Sequence, residues 1–153
     1  MLKIIHKDSA IQTTNLQNLS SRIETGCQIF ELKRGKEIYL GVLTERVMTK
    51  IILELSISAK ELYGATAFRP SRDAREEAAT SAVKAYIDGA ISKQQATNVT
   101  CDGRWLAYYA VCQNSYHLHR IAPKKQRQKE NQRQGKWIIN YLKSPEYLFD
   151  LAR

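Results

Sequence analysis

The chain has 153 residues, 43% hydrophobic and 25% charged, with a formal net charge of +9 from 24 Lys and Arg against 15 Asp and Glu. That length suits one ordinary domain, and that composition argues against wholesale disorder. No apolar run approaches the roughly 20 residues that span a bilayer, and the first eight residues meet charges too early for a secretory signal.

Residues 1–26 are polar and weakly patterned, which predicts a loosely ordered arm with one short strand at residues 2–6. The pattern sharpens after Cys27. Ile29, Phe30 and Leu32, then Ile38, Tyr39, Leu40 and Val42, flank Arg34-Gly35-Lys36 and predict a β-hairpin. Thr44 serves as an N-cap, and Val47, Met48, Ile51, Ile52, Leu55, Ala59, Leu62 and Tyr63 follow at helical spacing up to Gly64. A second helix opens at Pro70-Ser71. Its stripe is Ala78, Ala79, Ala82, Val83, Tyr86, Ile87, Ala90 and Ile91, with Gly89 a tolerated cost near its end.

Residues 97–121 change period. Strands over 97–101, 104–112 and 115–121, joined at Asp102-Gly103 and Gln113-Asn114, predict a three-stranded meander. A helix over 105–116 is the competing reading. After Pro123, residues 124–133 form a flexible loop or a solvated helix. Trp137–Leu142 resumes helical character, Ser144-Pro145 breaks it, and Tyr147, Leu148, Phe149 and Leu151 form a short terminal helix. The expected architecture is α+β: an N-terminal β-hairpin, two amphipathic helices, a three-stranded antiparallel meander and C-terminal helices, within a single domain over residues 1–153.

Charge is unevenly placed. Residues 120–136 carry seven cations, Arg120, Lys124, Lys125, Arg127, Lys129, Arg133 and Lys136, and one acid, Glu130, leaving 17 basic against 14 acidic residues elsewhere. Clustered cations release counterions from a phosphate backbone and so create affinity with little sequence preference. Gln126, Gln128, Asn131, Gln132 and Gln134, interleaved with them, can hydrogen-bond phosphates or base edges. On a helix, Lys125, Lys129, Arg133 and Lys136 share a face. The bland alternative is a solvated surface without a ligand. An acidic protein surface would also suit these cations. A membrane would not, since no Trp, Phe or Leu face interleaves them.

Within the meander, Trp105, Tyr109 and Tyr116 would share one sheet face and Tyr108 the other, where aromatics either fill the core or stack unpaired bases. Cys101, Cys112, His117 and His119 are zinc-ligand types, but a strand holds the two cysteines about 26 Å apart at 3.3 Å per residue, too far for one ion. His117 and His119, two apart on a strand, would stand side by side and could shuttle protons in a metal-free RNA cleavage. Glu31-Leu32-Lys33, with Asp8 upstream, has the Glu-x-Lys form found in one nuclease fold, though here it runs into the turn at Arg34. No phosphate-binding glycine loop is present.

Cys27, Cys101 and Cys112 form an odd, widely spaced set, as reduced thiols do in the cytoplasm or a nucleus. These observations predict a non-enzymatic nucleic-acid-binding accessory or regulatory protein, for RNA or DNA, using residues 120–136. The alternatives are an interaction module for an acidic protein partner and an RNA-cleaving enzyme. No cofactor or metal is expected.

Overall fold

The computed structural model describes residues 1–63, 70–100 and 124–153, which fall into two compact units. Residues 1–48 and 124–153 belong to the first, and residues 49–63 and 70–100 to the second. The protein is mixed α+β, with a four-stranded antiparallel sheet and six helices among the described residues.

In the first unit the sheet runs β2-β1-β3-β4, with β1 Leu2–Ile5, β2 Ile11–Thr14, β3 Gln28–Lys33 and β4 Lys36–Val42. Leu2 stands opposite Thr14 and Glu31, and Ile4 opposite Gln12 and Ile29. Opposed residues share a face, so Leu2, Ile4, Thr14 and Ile29, all buried, line one side. Lys3, Ile5, Ile11 and Phe30 fall on the other. Arg34 and Gly35 close the expected β3–β4 hairpin at φ 50° and 75°. Two left-handed residues are what a type I′ turn requires.

Residues 1–26 are more structured than their composition predicts. Besides β1 they form β2 and a helix, α1 Leu16–Arg22, whose Asn15 cap accepts from the Asn18 N–H at 3.0 Å. Their patterning is faint because β2 buries only Thr14 and α1 only Leu19. So little apolar surface leaves no periodicity to read.

The C-terminal stretch of this unit is helical. The helix α5, Lys124–Leu142, lies against α1 and buries Ile138, Ile139, Tyr141 and Leu142 along its second half. Gly135 sits where a Cβ would run into the Leu16 carbonyl oxygen. A helix-interior glycine costs about 1 kcal/mol against alanine, and here it lets two backbones touch. The expected break at Ser144-Pro145 is also a helix start: Ser144 caps the last helix, α6 Pro145–Ala152, with Pro145 in its first turn.

The helix α2, Glu45–Tyr63, opens in the first unit and continues into the second. Its cap is the expected one: Thr44 Oγ1 accepts from the Val47 N–H at 3.2 Å. In the second unit Leu53, Ala82, Val83, Ile87 and Ala96 form a core flanked by Ile57, Tyr86 and Ile91. The helix α3, Pro70–Ile87, begins where predicted but ends earlier. Gly89 (φ 79°) stops it, with Ala90 N–H bonded to Ala85 C=O at 2.8 Å and Gly89 N–H to Tyr86 C=O at 3.1 Å. That bond pair is the Schellman closure, in which glycine takes the left-handed position.

The strand expected over residues 97–101 is incorrect through Thr100, because α4 spans Lys93–Thr100. A capping box starts this helix. Gln95 N–H donates to Ser92 Oγ at 3.1 Å, while Ser92 N–H donates to Gln95 Oε1 at 2.8 Å. This Ser-x-x-Gln signature, readable in the sequence, overrides the β preference of Thr97 and Val99. The rest of the expected meander, residues 101–121, lies outside the described residues.

Candidate nucleic-acid interface

Of the two forms expected for residues 124–133, the chain adopts the helix. Propensity favours it, since Lys, Arg, Gln and Glu lose little side-chain freedom in helices. Apolar residues from Ile138 onward then fix its rotation. With Ile138, Ile139 and Leu142 facing inward, Lys125, Lys129 and Lys136 fall on one exposed stripe. At 1.5 Å per residue the stripe is about 16 Å long. Lys124 is also exposed, and none of these four lysines has an ion-pair partner among the described residues.

Arg133 departs from the expected set. It shares the stripe by spacing, but its Nε donates to Glu130 Oε2 at 2.6 Å and its Nη2 to the other oxygen. Gln134 Nε2 donates to the same carboxylate at 3.0 Å. Glu130 is fully buried, so the acid that dilutes the segment's charge in the sequence is used internally. Arg127 is half-buried, whereas Gln126 and Gln128 are exposed beside the lysines. Arg120, His117, His119, Cys101, Cys112 and the aromatic residues 105, 108, 109 and 116 lie outside the described residues.

The sheet carries a feature that no sequence pattern marks. On the face opposite the buried one, Phe30 and Tyr39 form a cross-strand aromatic pair with centroids 5.3 Å apart. Lys3 Nζ sits 4.9 Å from the Phe30 ring centroid, and Tyr39 is exposed. That ammonium is ion-paired to Glu37 Oε1 at 2.6 Å, so the exposed ring of Tyr39 is what this face offers for stacking.

The Glu-x-Lys pattern resolves into an ion cluster. Glu31 meets Lys33 Nζ at 2.8 Å and Lys143 Nζ at 2.9 Å. Hydrogen bonds from those two ammonium groups hold its carboxyl below the usual range. Asp8 is exposed in the β1–β2 turn, accepting from the Ala10 N–H at 3.1 Å. The two acids are thus committed to separate local contacts.

One ligand-type cluster was missed altogether. Among the described residues, His6, Glu24 and Cys27 are the group of His, Cys, Asp or Glu side chains whose ligand atoms converge, all within 4.8 Å of one another. Burial pushes the Cys27 thiol up, and hydrogen bonds to Gln12 and then Glu24 raise the His6 pKa. The Glu24-x-x-Cys27 spacing was the available signal.

No family model, curated protein or solved structure matches this chain. Among the described residues no helix is long and apolar enough to cross a membrane.

Proposed function

We propose that the protein binds nucleic acid through the exposed lysines of α5, as an accessory or regulatory factor without catalytic chemistry of its own. One observation carries this reading. Lys124, Lys125, Lys129 and Lys136 stand exposed and unpaired among the described residues, while the acid among them is buried against Arg133. A solvated helix normally mixes lysines with exposed glutamates; this one withdraws its glutamate. The stripe's length matches about five phosphates along one strand of a duplex. Exposed Gln126 and Gln128 add neutral hydrogen-bonding groups beside the charges. Such a protein works where nucleic acid is, in the cytoplasm or a nucleus.

The test is a titration of labelled single-stranded RNA, single-stranded DNA and duplex DNA at several salt concentrations. Three or four phosphate contacts should give a slope of log K against log salt near −3. Replacing Lys124, Lys125 and Lys129 with Gln should weaken binding to every sequence and flatten the slope. No binding at low salt, or affinity insensitive to salt, sinks the proposal. Recovery of a stoichiometric acidic protein after nuclease treatment would instead favour a protein-docking role for the same helix.

A further inference from the structure

The cluster missed in the sequence is built by two tight turns. At the end of β1, Ser9 N–H donates to His6 C=O at 2.9 Å and His6 N–H to Ala10 C=O at 2.8 Å, fixing His6 beside β2. After α1, Cys27 N–H donates to Glu24 C=O at 3.2 Å, and Gly26 takes φ 93°. A left-handed glycine at the third position is the signature of a type II turn. It brings the side chains of Glu24 and Cys27 together at the x-two-x spacing used by paired metal ligands.

The atoms then converge on one nitrogen. His6 Nδ1 lies 2.9 Å from Glu24 Oε1 and 3.3 Å from Cys27 Sγ. On its far side His6 Nε2 meets Gln12 Oε1 at 3.1 Å. Gln12 Oε1 can only accept, so it fixes the proton on Nε2. In neutral imidazole this leaves the Nδ1 lone pair facing a carboxylate oxygen that also only accepts. Either a proton, on the ring or on the carboxyl, or a cation has to lie between them.

Three features favour the cation. A thiol sulfur, an imidazole nitrogen and a carboxylate oxygen are the ligand types of zinc-like divalent ions. All three ligand atoms lie within 4.8 Å of one another, so small side-chain rotations would set them at the edges of about 3.3–3.8 Å that bonds of about 2.0–2.3 Å require of a tetrahedron. The Gln12 contact is the outer hydrogen bond that orients a metal-bound histidine through its other ring nitrogen. We propose that His6 Nδ1, Glu24 and Cys27 bind a borderline-soft divalent cation of the zinc type, with Gln12 orienting His6 and the fourth position open to solvent. The site opens outward at Glu24, whose side chain is 65% exposed, whereas Cys27 is fully buried at its base. The proposal departs from the expectation that the chain takes no metal, and it is independent of the lysine stripe.

Cobalt(II) is the probe, added to the metal-free full chain, with zinc(II) as competitor. One equivalent should bind with a thiolate-to-cobalt charge-transfer band and the visible bands of tetrahedral cobalt, and zinc should displace it. The Cys101→Ser/Cys112→Ser double variant should keep both bands, and Cys27→Ser should lose the charge-transfer band. Because Cys27 is buried, two milder variants support the test, each checked by circular dichroism for its fold. Gln12→Ala should weaken cobalt binding about tenfold or more, and Glu24→Gln should weaken it further. Absence of binding, unchanged affinity in Glu24→Gln, or a band that follows Cys101 and Cys112 would overturn the proposal.

Discussion

Tyr147 Oη makes two bonds to one residue of β4: it accepts from the Val42 N–H and donates to the Val42 C=O, both at 2.9 Å. The neighbouring Gly41 leaves room for the ring, since a Cβ there would meet the phenol itself. Tyr141 adds an edge-on ring contact to Tyr147 and donates to Asp150 at 2.7 Å. Tyr147→Phe should therefore strand two backbone groups and destabilise the fold by about 1–3 kcal/mol. Gly41→Ala should cost at least as much, because the ring must move. Urea denaturation with unchanged m-values checks both.

Gly135→Ala offers a clean contrast of two effects. Helix propensity alone predicts a gain of about 1 kcal/mol. Collision with the Leu16 carbonyl predicts a loss of about 1–3 kcal/mol, as for overpacked cores. The loss should win, since the obstacle is backbone. A higher melting temperature in the variant would show that α1 and α5 do not cross there.

Glu31 should shape the acid limb of stability. Its folded pKa is lowered by Lys33 and Lys143, so its contribution is complete above the ordinary glutamate value of about 4.3. It is lost as pH falls through the lowered folded value. Glu31→Gln should be less stable than the parent at neutral pH, and the difference should shrink below about pH 4. Chemical denaturation across that range reads the effect directly.

Arg133 separates structure from binding. Arg133→Met leaves buried Glu130 short of its main cation and should destabilise by about 3 kcal/mol, the lower range for breaking a buried pair. Its effect on the salt slope of nucleic-acid binding should be smaller than that of Lys129→Gln. Equal slopes in the two variants would return Arg133 to the binding set.

What was legible in the sequence follows burial closely. The β3–β4 hairpin, α2 with its Thr44 cap, and the break at Ser144-Pro145 before α6 were readable because each pairs a strong apolar pattern with a local stop or cap. The arm was misread because β2 and α1 each bury one residue. The end of α3 and the second half of α4 were misread for a different reason. Both depend on single side-chain or glycine positions, Gly89 and Ser92–Gln95, whose signals periodicity ignores. At the lysine stripe, spacing anticipated the face of Lys125, Lys129 and Lys136 but not the withdrawal of Arg133, which depends on where Glu130 is buried. The cluster joins His6 to the Glu24–Cys27 turn, two segments distant in sequence that the register of β1 with β3 brings together.

The bonds from Tyr147 make the two margins of the sheet unequal. At β4 a phenol occupies the donor and acceptor of Val42, which another extended chain would need. Among the described residues the opposite margin is β2, only four residues long and led by a two-thirds exposed Ile11. A bare strand edge is a template for cross-chain pairing. Self-association under stress should therefore begin at β2, and a charged residue in place of Ile11 is the change that would suppress it.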